Sequence, residues 1–208
     1  MVEFTVEPAR LALLTIDLQR CFVSETPLAT ASGLSLIHRL NPLVALCRRA
    51  GILIVHVSHV LRPDGSDAGV LAQIAPVVRQ GVIAKGSAAA SLHPALDVQQ
   101  GDVLLDKPRF GAFHGTDLER LLRSRGIDSV VIGGIATSVC CETTAREATV
   151  RDFRLFFLSD GTTNAGAGDL SPQEVIQATC ATLGRAFGEV LSIDRLSERI
   201  RAAAGMAG

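Results

Sequence analysis

An acid, an ammonium and a thiol stand in this chain at equivalent places, each just behind a run of apolar residues. Asp17 follows "LALLTI" (11–16), Lys107 closes "DVLLDK" (102–107), and Cys140 sits in "GGIATSVCC" (133–141), behind "SVVI". A carboxylate can carry a proton, an ammonium can hold that carboxylate and steady an anion, and a thiolate can attack a carbonyl carbon. Each residue also has an ordinary role: an aspartate caps a turn, a lysine is solvated, and a free cysteine is among the most buried residue types. Their shared position at three strand ends is what points to nucleophilic catalysis.

That position depends on the elements around them. Apolar, β-branched-rich runs at 11–16, 52–57, 102–105, 129–134, 154–159 and 189–193 predict six strands. Between them, 34–50, 116–125, 140–151 and 171–188 read as helices, the last opened by Ser171, Pro172 and Glu174 and stopped by Gly188. Strand and helix in alternation predict a three-layer α/β sandwich, a parallel sheet covered on both faces. Ligands of such sheets bind beyond the carboxyl ends of the strands, near the reversal of strand order. The long connection over 60–101 is of a length usually tied to function.

The adjacent cysteines are separated by helix geometry. With a helix beginning near Val139, Cys141 shares a face with Ala145 and Ala148, a small-residue stripe suited to packing on the sheet. Cys140 is turned away, in the first turn, where unpaired N–H groups and the helix dipole favour an anion and lower a thiol pKa. Cys140 is therefore the expected nucleophile, and Cys141 an inert packing residue. The same N–H groups, with that of Ala136 or its neighbours in the tight turn, are placed to stabilise an oxyanion.

Composition narrows the setting. The 208 residues, 48% of them hydrophobic, fit one domain spanning 1–208. Twenty basic and twenty-one acidic residues leave a net charge of −1 with no long block of either sign, which argues against nucleic-acid and membrane partners. The first apolar run lacks the basic flank of a secretory leader, so a cytoplasmic protein is expected. The five cysteines are scattered without a CxxC pair and read as thiols. His56 and His59, three apart in an extended segment, point to opposite faces and cannot easily share an ion, so neither metal nor other cofactor is expected.

The stretches "LLTIDLQRCF", "DKPRFGAFHGTDLERLLRSRGIDSVVIGGIATSVCCETTAREA" and "TLGRAFGEVLSIDRL" resemble the isochorismatase-like cysteine hydrolases, in order and over nearly the whole chain. The resemblance implies a doubly wound sheet of order 3-2-1-4-5-6, an Asp17–Lys107–Cys140 triad and hydrolysis of an amide, ureido or related C–N bond. It also implies a cis peptide at Ile135–Ala136, an oxyanion hole from the Ala136 and Cys140 N–H groups, and a homo-oligomer, dimer or tetramer. Members that cleave a vinyl ether generally lack the cysteine. The metal-dependent nicotinamidases carry an Asp and paired His after strand two, a pattern absent from "HVSHVLRPDGSDAG". That stretch looks instead like the branch with N-carbamoylsarcosine amidase and ureidoacrylate amidohydrolase. A non-catalytic binding protein of this fold is the remaining alternative, which the intact triad disfavours.

Substrate contacts are expected from residues flanking the triad. Phe22, Phe110 and Phe113 form an apolar wall that excludes water. Arg62, or Arg109, offers a guanidinium fork matched to a carboxylate, so the expected small amide or ureido substrate is anionic. The apolar tract "GVLAQIAPVV" (69–78) is a candidate subunit contact.

Overall fold

Two of the six apolar runs are hidden at every residue, and that decides where they lie. In the computed structural model, which describes residues 2–24 and 26–206, β1 (Leu11–Ile16) and β4 (Ser129–Ile135) are buried throughout, as central strands between two helical layers must be. β2 (Leu53–His59) is buried beyond its first residue. β3 (Val103–Lys107) exposes Leu104 and Asp106, as an edge strand can. β5 (Arg154–Thr163) and the short β6 (Glu189–Leu191) complete a parallel sheet of order β3-β2-β1-β4-β5-β6. The order reverses between β1 and β4, the usual ligand position in doubly wound sheets.

Alternate side chains of each strand feed the two layers. Leu11 and Leu13 join Leu36, Ile37 and Leu40 of α2 (Gly33–Arg49), with Leu196 and Ile200 of α7 (Ile193–Ala203). Ala12, Leu14 and Ile16 face the other way, toward Leu118 and Leu122 of α4 (Leu118–Ser124), Ala145 and Ala148 of α5 (Glu142–Thr149) and Leu183 of α6 (Pro172–Ala186). Ser171 and Glu174 close a reciprocal capping box at the start of α6.

Several boundaries depart from the sequence expectation, among them β3, which runs on to Lys107. The run 189–193 splits into a three-residue strand and the start of α7, whose Ser192 side chain accepts from the Arg195 N–H. β2 continues past Val57 to His59, and β5 past Ser159 to Thr163, helped by a register shift between Ile132 and Gly134. These extensions move strand ends, and with them the residues that reach the ligand edge.

Over that edge, α1 (Arg20–Val23), α3 (Leu71–Ile74) and the 3₁₀ turn Pro76–Gln80 form a cover. It has its own apolar cluster of Cys21, Leu61, Ala68, Leu71, Val78 and Ile83. The tract 69–78 is thus divided: Leu71 and Val78 pack inward, whereas Val70 and Ile74 are exposed. No helix among the described residues is long and apolar enough to cross a membrane.

Gly134 shows how tightly β1 and β4 meet. It pairs with Ile16 at φ +135°, and a Cβ there would fall 2.1 Å from the Ile16 carbonyl oxygen, a backbone atom that cannot step aside. Gly134→Ala should therefore destabilise the fold by about 3 kcal/mol or more, through both the clash and the disfavoured φ. Thermal or urea unfolding measures this, and a loss under 1 kcal/mol, an ordinary surface-substitution effect, would contradict the packing described.

Candidate active site

The end of β1 is shaped for one residue type. Asp17 adopts φ +54°, a left-handed conformation that aspartate tolerates better than most side chains and that clusters at functional sites. Its N–H donates to the Val57 carbonyl across the junction with β2, at 2.8 Å. Its carboxylate is turned into the protein, where it is 1% exposed.

Lys107 ends β3, two strands away. Neighbouring strands lie about 4.8 Å apart, so β1 and β3 are separated by nearly ten ångströms, roughly a lysine side chain plus a carboxylate. Lys107 spans that gap over the end of β2: its Nζ is 2.9 Å from Asp17 Oδ2, and both groups are essentially inaccessible to water. The ammonium also donates to the Arg109 carbonyl at 3.0 Å. No hydrogen bond of regular angle reaches either Asp17 oxygen, so the contact is an ion pair that leaves the carboxylate lone pairs open to another proton. Burial alone would push the Lys107 pKa down, but the Asp17 charge, with the Cys140 sulfur beside it, more than offsets it, and the group is held above its ordinary value.

Cys140 arrives from β4. The Ile135–Ala136 peptide is cis. Beyond it the chain makes a single π turn, Thr137–Cys141, before α5; such turns are rare and recur at functional sites. Thr144 holds the turn by donating its hydroxyl to the Cys140 carbonyl at 2.7 Å. The same hydroxyl accepts from the Ala112 N–H at 3.1 Å, and Glu147 accepts from the Phe113 N–H at 3.0 Å. One helix thereby fixes both the turn that carries Cys140 and the loop that follows Lys107. A side chain at Gly111 would collide with the Glu147 carboxylate, which explains glycine there.

The sequence expectation of a lowered Cys140 pKa is overturned. Burial is the main cause of an upward shift, reinforced by the Asp17 charge and only partly opposed by Lys107. The shift favours a protonated sulfur at neutral pH. Cys141 is wholly buried in the layer containing Ala145 and Ala148, its own thiol also pushed well up by burial.

The Cys140 thiol and the Asp17 carboxylate face a cavity of about 290 Å³. Phe22 and Phe110 are in its wall, together with Ala136. Phe113 is not: it stacks on Phe153, with Arg151 over its ring, as a core residue. Neither arginine lines the cavity. Arg62 is exposed beside a separate depression with Pro63, Asp64 and Arg79, and the Arg109 guanidinium donates to the Pro108 carbonyl at 2.6 Å. Leu61 is buried in the cluster of the cover, and Arg62 after it is exposed.

His59, whose sequence position predicts only ordinary strand or loop structure, is a wall residue. Gln19 holds the end of β2, accepting from the His59 N–H at 2.7 Å and donating to its carbonyl at 3.0 Å, while the Phe110 ring meets the imidazole edge-on. Burial is the first cause, and Lys107 the second, of a pKa lowered to about 4, so the ring is neutral at pH 7. Its signal in the sequence was position: it ends β2 as Asp17 follows β1, but is masked by an apparent strand end at Val57. Thr30, Ser138 and Asn164 are further wall residues. Asn164 stands just beyond the extended β5, again past the expected strand end.

His56, by contrast, is enclosed with Thr15 and Asp102, apart from this cavity. The two histidines do face different surroundings. Ligand atoms of Asp17, His59 and Cys140 do lie within 4.8 Å of one another, close enough to share an ion. The Lys107 ammonium already occupies the cationic position beside Asp17. A divalent ion at that carboxylate would meet like charge.

Comparison with known proteins agrees with this architecture. The isochorismatase domain model matches residues 11–195. The ureidoacrylate amidohydrolase RutB of Methylorubrum extorquens is 32% identical over 173 residues, covering 74% of this chain and 70% of that protein. RutB of Klebsiella pneumoniae is 29% identical, covering 96% and 91%. Among solved structures, a cysteine hydrolase from Pseudomonas syringae pv. phaseolicola superposes with a TM-score of 0.92 at 31% identity, covering 97% of each chain. An isochorismatase family protein from Desulfovibrio vulgaris gives 0.80 at 26% identity, covering 91% of this chain and 97% of the other. With its sheet order, its strand-end residues and these matches in agreement, the chain belongs to the isochorismatase family, as an isochorismatase-like hydrolase.

Proposed function

We propose that this protein is a cysteine-dependent amidohydrolase that cleaves the C–N bond of a small amide or ureido (N-carbamoyl) substrate through a thioester. The observation that carries this reading is the water-excluded Lys107–Asp17 ion pair with a thiol against it at a cavity wall. The names of the RutB relatives point to the same bond type.

The reaction follows from the charges. Asp17 takes the Cys140 proton as sulfur attacks the carbonyl carbon, so the new charge develops on the substrate oxygen and not on a resting thiolate. The Ala136 and Cys140 N–H groups stabilise that oxyanion. Asp17 then gives the proton to the departing nitrogen as the C–N bond breaks, leaving a thioester. Water attacks next, again giving a proton to Asp17, and the C–S bond breaks to release the acid as sulfur recovers the proton. Lys107 keeps Asp17 in register and balances its charge in the low-dielectric site, and every step uses only groups of the chain and water.

Cys140→Ala and Cys140→Ser should lower kcat by roughly 10⁴-fold or more, whereas Cys141→Ala should keep most of the activity. Equal losses at the two cysteines would overturn the assignment of the nucleophile. Asp17→Asn should be as damaging as loss of the thiol; ammonia release within tenfold of wild type would mean another base operates.

Because burial raises the Cys140 pKa, its alkylation by iodoacetamide should still be accelerating above about pH 9, where an ordinary cysteine of pKa near 8.5 levels off. Peptide-resolved mass spectrometry follows this rate. A plateau near neutral pH would show a preformed thiolate instead.

A further inference from the structure

We infer that the substrate is an uncharged amide or ureide with an apolar body, oriented by the Thr30 hydroxyl; this rests on the amidohydrolase reading above and names the substrate class of that site. The cavity is walled mainly by Phe22, Leu28, Leu71, Val78, Ile83 and Phe110. Among the described residues, no lysine or arginine lines it. Lys107 is fully buried and already paired with Asp17, so the site has no surplus positive charge. His59 is neutral at pH 7, and Arg62 and Arg109 lie elsewhere.

A carboxylate entering such a space would lose its hydration without gaining a counter-ion, and it would sit near the Asp17 charge. The apolar wall, by contrast, gains from covering hydrocarbon. The ureidoacrylate for which the RutB relatives are named carries a carboxylate, so this chain departs from them in the substrate its pocket fits.

Thr30 supplies the polar contact. Its side chain is 6% exposed, lies in the cavity wall, and its Oγ1 has no hydrogen-bond partner. Its backbone N–H donates to the Phe22 carbonyl, so the residue is held from the main chain while the hydroxyl stays open. Buried hydroxyls are seldom left unpaired, and a ligand atom would complete this one. A hydroxyl can donate to a carbonyl or accept from an amide N–H, both of which a neutral amide or ureide presents.

Two matched pairs separate the classes: butylurea against 3-ureidopropionate, and pentanamide against succinamate. Binding to the Cys140→Ala protein, followed by titration calorimetry, should favour the neutral member of each pair by roughly 100-fold, the scale of burying an unpaired carboxylate. Equal or tighter binding of the anions, or no binding of either neutral compound, overturns the inference. Ammonia release by the wild-type protein is read separately. Neutral compounds that bind but release no ammonia would support the pocket assignment and count against the hydrolase reading. Thr30→Val, which keeps the volume, should lower kcat/KM for the neutral substrates roughly 3- to 20-fold, with Tm unchanged or raised because no internal hydrogen bond is lost. Unchanged kcat/KM would remove Thr30 from the site, and a lower Tm would assign its hydroxyl a structural role.

Discussion

The buried ion pair between Asp17 and Lys107 is the constraint around which this molecule is arranged. Taking both charges out of water costs several kcal/mol per ion, and a hydrophobic pair of similar volume would stabilise the fold at least as well. The pair makes chemical sense only together with the thiol beside it. Its geometry also dictates topology: the ammonium must reach from an edge strand over β2 to β1, and the chain must then cross back to deliver β4 on the other side of β1. α5, through Thr144 and Glu147, ties the end of that crossing to the turn that carries Cys140.

The same constraint accounts for the cover over the carboxyl edge. A carboxylate, an ammonium and a thiol exposed to solvent would each keep nearly ordinary pKa values. Under Leu71, Val78, Ile83 and the two phenylalanines they are coupled: the ammonium is held charged, the thiol is held protonated, and His59 is held neutral. Electrostatic contacts are stronger in such a setting because little water remains to screen them. The long connection over 60–101 earns its length here, since it builds the lid of the cavity and not a part of the sheet.

What lay open in the sequence was whatever local pattern controls. Apolar runs marked the six strands, Ser171, Pro172 and Glu174 marked the start of α6, and the residues just behind three runs pointed to Asp17, Lys107 and Cys140. Strand ends were less legible. His59 and Asn164 lie past polar or glycine residues that read as stops, because a residue such as Ser58 is kept in a strand by its pairing partner Asp106 and not by its own preference. The helix Ile193–Ala203 was hidden for a related reason, since its first residue continues an apolar run that pairing with β5 ends at Leu191.

The sequence by itself thus determined the alternation of elements, the two-sided burial of the central strands and the chemical identity of the three groups at the sheet edge. Only the tertiary structure decided their electrostatic state and their company. Helix position alone argued for a lowered thiol pKa at Cys140; burial and the Asp17 charge raise it, only partly opposed by the neighbouring ammonium. Chain proximity likewise put Arg62, Arg109 and Phe113 near the substrate, whereas the fold turns all of them away and brings in Thr30 and His59 from distant segments. Which side chains share a cavity depends on how loops fold over the strand ends, and no local periodicity encodes that.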